Sequence, residues 1–265
     1  MKPDQLLQFV GAMVLVVGLG SCATPNQIAF RPEATGEAQA TAGYAQPPPG
    51  RPGLGTKWGE NRKSLATGTQ FVRANPDRPF AVARIYYNDR AGIEAMASAS
   101  LDRNRWITSA PLTTSLLSIA IRDQSYRLLP GLVIGDRWFV VGEEGRRYAI
   151  VIRNYSDWRL ETVISVDGLD VLDGRPASLR KRGYVIEPHR VLVVDGFRQS
   201  LDTVAAFRFG PVRESYSEEK YRTTRNVGVI GIAAFNEKGS SFDPREIDQR
   251  LRANPFPRFA TPPNE

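Results

Sequence analysis

Short segments rich in β-branched and aromatic residues recur along the chain between residues 79 and 235, and polar or glycine-containing stretches separate them. Segments of this length and composition are typical of β-strands. Many short strands at this spacing predict an all-β, mainly antiparallel domain, built as a β-sandwich or a jelly-roll-like Greek key. The segments are PFAVARIYY at 79–87, LLSIAI at 116–121, RWFVV at 137–141, YAIVI at 148–152, RLETVISV at 159–166, GYVI at 183–186, RVLVV at 190–194, TVAAFRF at 203–209 and NVGVIGIAAF at 226–235.

The hydrophobic pattern separates strands with one buried face from strands buried on both faces. Residues 160–166 and 203–209 alternate along the chain, so each of these strands should turn one face to the core. Residues 148–152 and 227–235 are apolar on both faces, as central or doubly covered strands are.

Few helices are expected. Residues 89–99 can form one, and Ser215-Tyr216-Ser217-Glu218 has the spacing of a capping box. A third helix should start at Asp243-Pro244-Arg245-Glu246 and end before Pro255, because Asp suits the N-cap and Pro suits the first helical position.

The chain begins MKPDQLLQFVGAMVLVVGLGSC, which has the layout of a secretory signal. Its apolar run, residues 9–19, is shorter than the ~20 residues that a membrane-spanning helix needs. The end of the run, Leu19-Gly20-Ser21-Cys22, resembles the cleavage motif of bacterial lipoproteins. That resemblance implies a diacylglycerol on the Cys22 sulfur, cleavage before Cys22 and acylation of the new amino terminus. An ordinary cleaved signal remains the alternative.

Cysteine content and charge restrict the chemistry further. Cys22 is the only cysteine, so a lipidated chain has no thiol for a disulfide, a thiolate metal site or Cys/His catalysis. The formal charge of +7 favours an anionic envelope polymer or lipid headgroup as neighbour, although a merely soluble surface explains it equally well. No nucleic-acid motif accompanies the charge, so we expect no nucleic-acid partner.

A region rich in Pro, Gly, Ala, Thr and Gln follows Cys22 and is too poor in aliphatic residues to form a core. Within it, Trp58 is costly to leave in a free linker, so residues 55–62 are expected to touch the domain. The predicted organisation is a signal peptide at 1–21, a tether at 22–68, one β-domain at 69–238, and a short helix with a loose tail at 239–265.

The part from residue 159 to residue 238 also resembles a group of bacterial exported proteins of unassigned activity. The matching strings are VISVDGLDVLDGRPAS, GYVIEP, DGFRQS, VAAFRF and NVGVIGIAAF. The resemblance implies an antiparallel β-fold and brings no catalytic residue.

Three aspartates lie three residues apart in SVDGLDVLDGRPAS, residues 165–178. A calcium loop of the EF-hand type needs oxygen ligands at positions 1, 3, 5 and 12. Counting from Asp167, the third position is Leu169 and the fifth is Val171, so this template fails. Asp-Gly instead favours a tight hairpin turn with positive φ. We therefore predict chain reversals at Asp167-Gly168 and Asp173-Gly174 and no metal site.

No catalytic set stands out. His189 is the only histidine, it follows a turn proline, and no G-x-S-x-G stretch supplies a nucleophile. Paired carboxylates cannot be identified from sequence, and no glycine-rich nucleotide loop is present, so we expect no cofactor and assign no catalytic residue.

The candidate binding residues are Trp138, Tyr155 and Trp158, which could stack on sugar rings, and Arg180, Lys181 and Arg182, which could form a basic rim. Core packing and simple solvation are the alternatives.

These patterns predict a membrane-anchored lipoprotein of the cell envelope, facing the periplasm or held in the outer membrane. Its partners would be the membrane, through Cys22, and an envelope polymer or envelope protein. The sequence favours a non-catalytic binding or assembly module, and the alternative is a carbohydrate-active enzyme that acts on the cell wall through acidic residues. Membership of a larger envelope complex is a third possibility.

Overall fold

A computed structural model describes residues 51–100, 104–112 and 116–240. This part of the chain contains two short α-helices, α1 (Arg90–Ser98) and α2 (Tyr216–Tyr221), and a single 3-10 turn at Val212–Glu214. The remaining regular structure is β. The strands are β1 (Leu54–Lys63), β2 (Ala81–Asn88), β3 (Asn104–Ile107), β4 (Ser109–Leu112), β5 (Leu117–Asp123), β6 (Gly131–Ile134), β7 (Arg137–Val141), β8 (Arg147–Asn154), β9 (Leu160–Val166), β10 (Leu169–Asp170), β11 (Tyr184–Ile186), β12 (Val191–Val194), β13 (Gly196–Arg198), β14 (Thr203–Pro211) and β15 (Val229–Asn236).

The strands form two sheets. The first has the order β1-β14-β8-β5-β4, with β12 also paired to β8 and β13 to β14. The second has the order β10-β9-β15-β2-β7-β6-β3, with β11 also paired to β9. Among the strands of the described residues, all pairs are antiparallel except β2 with β7, which is parallel. The predicted all-β, mainly antiparallel sandwich is confirmed.

Side chains from both sheets form the main core. Phe197, Phe207 and Phe209 of the first sheet are each 1% exposed or less, and they belong to the same buried cluster as Ile164 and Ile232 of the second sheet. The two segments that are apolar on both faces became β8 and β15. Each has a partner strand on both sides, which confirms the prediction that they are central.

Two of the three predicted helices lie in the described residues, and both are confirmed. The side chain of Asp89 accepts a hydrogen bond from Gly92 N at the start of α1. Ser215 accepts one from Glu218 N at the start of α2. A cap satisfies a backbone N–H that the helix itself leaves unpaired. Both helices therefore begin where their capping residues predict. The helix expected after Asp243 lies outside the described residues.

The predicted boundary of the tether at residue 68 is wrong. Strand β1 starts at Leu54 and pairs with β14 from Leu54 to Lys63. Trp58 packs between Phe197, at a ring distance of 6.1 Å, and Tyr216, at 4.7 Å. The expected contact of residues 55–62 with the domain is therefore a complete edge strand. The signal segment, Cys22 and the rest of the tether up to residue 50 lie outside the described residues. Within the ranges given above, neither helix has the length and apolar character to cross a bilayer.

Candidate functional site

A groove of about 540 Å³ lies on the outer face of the second sheet. Strands β2, β15 and β9 form its floor, and residues 177–179 and 225–226 form its rims. The outward residues of these three strands define three rows across the floor, because side chains alternate between the two faces of a sheet. This size falls within the range of ligand-binding clefts.

The middle row of the floor is polar and open. Gly231 of β15 pairs with Arg84 of β2 on one side and with Ser165 of β9 on the other. A Cβ built at Gly231 would meet only the Ser165 Oγ, at 2.7 Å. The Ser165 hydroxyl therefore leans over Gly231, and the row presents this hydroxyl beside the Arg84 guanidinium.

The rows on either side are apolar. Ala233 lies between Val82 and Val163 in one neighbouring row. Val229 lies opposite Tyr86 in the other. Val82 is 48% exposed and Val163 is buried. A ligand lying along the strands would meet apolar, polar and apolar surface in turn.

The groove carries positive charge that the protein does not neutralise. Arg84 and Arg225 are both exposed, and neither guanidinium forms a hydrogen bond or an ion pair with another described residue. No Asp or Glu is among the described residues that line the groove. Two guanidiniums in one cleft without a carboxylate beside them make its potential positive, which favours an anionic ligand.

Asp167 anchors one end of the groove. It is the first residue of the tight turn between β9 and β10, and its carboxylate is buried between the two sheets. Its Oδ2 accepts a hydrogen bond from Thr56 N at 2.8 Å. Its Oδ1 accepts from the Tyr87 hydroxyl at 2.5 Å and from Gly228 N at 2.9 Å. Asp167 thus ties β1 to β2 and to the start of β15.

Hydroxyl groups extend this buried network into the first sheet. The Thr56 Oγ1 lies 2.7 Å from the Tyr87 hydroxyl and 2.6 Å from the Tyr148 hydroxyl. Burial raises the pKa of Asp167 from 3.8 to about 6, and the hydrogen bonds from Tyr87, Thr56 and Gly228 oppose that rise. Burial, followed by the nearby Asp167 charge, also raises the pKa of both tyrosines well above 10. The network is enclosed and bonded on all sides, which suits a structural anchor.

The two Asp-Gly turns are confirmed with one difference. Asp167 and Gly168 have φ of 55° and 81°, and Leu169 pairs directly with Val166, so the first turn is a two-residue hairpin with positive φ at both positions. At the second, Gly174 has a φ of 63°, but Asp173 is not left-handed. Gly174 N instead bonds to Asp170 O at 2.9 Å, which gives a wider turn.

The three aspartates of this segment have separate partners. Asp170 accepts from Leu172 N at 2.8 Å and Asp173 from Lys181 Nζ at 2.7 Å, whereas Asp167 faces the core. Within residues 51–100, 104–112 and 116–240, no group of three or more His, Cys, Asp or Glu is placed to hold a metal ion.

The arginines and lysine predicted as a basic rim are engaged by the protein itself. Arg180 pairs with Asp77 at 3.0 Å, and Lys181 pairs with Asp173 at 2.7 Å. Arg182 donates to the carbonyl oxygen of Phe71 at 2.8 Å. Two of these contacts, from Arg180 to Asp77 and from Arg182 to Phe71, join the loop before β11 to the segment before β2.

The predicted aromatic residues do not form one exposed patch. Trp138 is 6% exposed and belongs to the core, so its assignment as a ligand-stacking residue is corrected. Tyr155 is 48% exposed and lies under the Arg153 guanidinium, 5.0 Å from ring centroid to Cζ. Trp158 is half-buried in the turn after β8, where its carbonyl oxygen accepts from Asn154 Nδ2 at 2.7 Å. His189 sits in an exposed turn and bonds to Asp157 at 2.7 Å.

A buried ion pair at the opposite end of the groove was not predicted. The Arg73 Nε donates to Glu161 Oε2 at 2.7 Å, and the side chains are 6% and 2% exposed. Arg73 also donates to the carbonyl oxygen of Leu179, a rim residue, at 2.6 Å, and its guanidinium lies 3.6 Å from the Phe235 ring centroid. Glu161 accepts from Gly183 N at 2.7 Å. The pair therefore holds the rim loop over the sheet.

Comparison of the chain with protein-family models, with curated proteins and with solved structures finds no match.

Proposed function

We propose that this chain is a lipid-anchored protein of the cell envelope whose β-domain binds an anionic envelope component in the groove without catalysis. The observation that carries the proposal is the pair of unpaired guanidiniums, Arg84 and Arg225, in a cleft whose described lining contains no carboxylate. The one strongly perturbed acid beside the cleft, Asp167, is 2% exposed and accepts three hydrogen bonds. This arrangement favours binding over acid catalysis of sugar hydrolysis, which needs two accessible carboxyl groups.

The proposed location rests on the amino-terminal sequence. Leu19-Gly20-Ser21-Cys22 follows an apolar run of the right length, and the carboxy-terminal strings resemble those of bacterial exported proteins. A second acyl chain makes membrane attachment stable, where one chain binds only marginally. Residues 23–53 would then separate the anchor from β1, with an end-to-end distance of about 30 Å for a flexible chain.

Lipidation is tested by growing the producing cells with labelled palmitate. The wild-type chain is expected to incorporate the label and, on mass spectrometry, to start at a modified Cys22. Cys22→Ser removes the sulfur that accepts the lipid, so it should incorporate none. Ser21→Ala keeps a small residue before the cysteine and should be labelled like the wild type. A wild-type chain that starts at an unmodified Cys22, or that keeps its signal, would contradict the proposed anchor.

A further inference from the structure

We infer that the groove binds an extended acidic peptide, with one carboxylate seated between Arg84 and Ser165 over Gly231. The inference rests on the proposed function and names the class of ligand.

The middle row provides the contacts that a carboxylate needs. Arginine binds carboxylates through two parallel N–H groups, and a hydroxyl can donate a third hydrogen bond. Arg84 and Ser165 stand on the two strands that flank β15, about 10 Å apart by the usual spacing of neighbouring strands. Neither side chain has another hydrogen-bond partner among the described residues. Because Gly231 has no side chain, a carboxylate that approaches the sheet at this point meets only the Ser165 hydroxyl.

The outer rows fit the rest of an extended chain. In a strand, residues i−2, i and i+2 point to the same side and lie roughly 7 Å apart, and the rows of the floor repeat with the same spacing. A ligand with an acid at position i therefore places positions i−2 and i+2 over the rows of Ala233 and Val229. Both rows are apolar and shallow, so small aliphatic side chains fit there better than a long acyl chain. Arg225 on the rim adds attraction for negative charge without fixing a position.

The test uses two peptides that carry a dye on the amino terminus and differ only in the carboxylate, dye-Val-Ser-Glu-Ser-Val-amide and its Gln counterpart. Their binding to the full-length protein in detergent is measured by fluorescence anisotropy. We expect the Glu peptide to bind at least tenfold more tightly than the Gln peptide. Arg84→Gln should weaken binding of the Glu peptide at least tenfold, while Arg84→Lys keeps part of the affinity. Arg153→Gln, a change of an exposed arginine on β8, should have no effect.

Equal affinity for the two peptides, undetectable binding of both, or insensitivity to Arg84→Gln would overturn the inference. A different result would favour a phosphate-bearing ligand and overturn the inference. In that case low-millimolar inorganic phosphate displaces the Glu peptide, and Arg84→Gln weakens the binding of phosphate as much as that of the peptide. Circular dichroism and thermal unfolding check the fold of each variant, and Arg84→Gln should leave it intact because the exposed Arg84 forms no hydrogen bond or ion pair with another described residue. These results concern only the acidic peptide as ligand. Whether the groove is a binding surface at all is tested separately by cross-linking from its floor.

Discussion

Replacing Asp167 by alanine is expected to lower the free energy of unfolding by about 4 kcal/mol, because three buried donors lose their acceptor. These donors are Thr56 N, Gly228 N and the Tyr87 hydroxyl. Alanine is also less tolerant than aspartate of the positive φ of 55° at this position. Relief of the buried charge offsets part of the loss and is included in the estimate.

Asp167→Asn serves as the matched control. Asparagine accepts positive φ and keeps one side-chain oxygen as an acceptor, so Asp167→Asn should lose about half as much unfolding free energy as Asp167→Ala. The remaining loss arises because the amide nitrogen, itself a donor, faces a donor. Urea unfolding of the wild type and both variants at pH 7 measures the differences. A change below 1 kcal/mol for Asp167→Ala would show that the network contributes little to stability.

The same carboxyl group gives a pH dependence of known sign. Its pKa in the folded protein, about 6, lies above the ordinary aspartate value of 3.8 because the carboxyl group is buried. Between these values the folded state holds a proton that the unfolded state has released, so stability falls as pH rises. From pH 4.5 to pH 7 the loss from this group should be about 2 kcal/mol. Asp167→Asn should abolish this loss of stability. If the variant loses as much unfolding free energy as the wild type between pH 4.5 and pH 7, Asp167 is not the group responsible.

Arg73→Met is expected to cost about 3 to 5 kcal/mol, because it leaves the Glu161 carboxylate buried without its cation. Glu161 is 2% exposed and would retain only the bond from Gly183 N among its described partners. The rim loop should loosen as well, since Arg73 also donates to the carbonyl oxygen of Leu179. The double variant Arg73→Met/Glu161→Leu should recover most of the stability, because no unpaired charge remains.

The control for this change is Arg180→Met. Arg180 pairs with Asp77 at 3.0 Å, but the two side chains are 82% and 59% exposed. Exposed pairs of this kind contribute less than about 1 kcal/mol, since solvent screens the charges. Equal losses for Arg73→Met and Arg180→Met in urea unfolding would contradict the view that burial makes the first pair important.

Much of the fold could be predicted because its signals are local. Period-two alternation and β-branched composition gave β9, β14 and β15, and the Asp-Gly pair gave the turn that joins β9 to β10. Strand β1 was missed because LGTKWGENRK has few aliphatic residues and adjoins a proline-rich region. Its burial depends on β14, far away in the chain, and only Trp58 signalled that contact.

The site was harder to predict because it depends on register between distant strands. Nothing near Arg84 in the sequence indicates that Gly231 and Ser165 will lie beside it. Arg73 and Glu161 likewise meet only through the packing of the segment before β2 on β9. The Asp-Gly pattern correctly predicted the turn at Asp167, but the use of its carboxylate as a buried anchor needs Thr56 and Tyr87, which the pattern does not contain.

Site-specific photo-cross-linking in intact cells tests most directly whether the groove is the binding surface. A photoreactive residue at Val82 would project from the groove floor, and one at Val191, on β12 of the other sheet, provides a control. The two valines are 48% and 51% exposed, so they are equally accessible to solvent. We expect a discrete adduct with an envelope component from position 82, none from position 191, and a weaker adduct from position 82 when Arg84 is replaced by Gln. No adduct from position 82, or the same adducts from both positions, would contradict it.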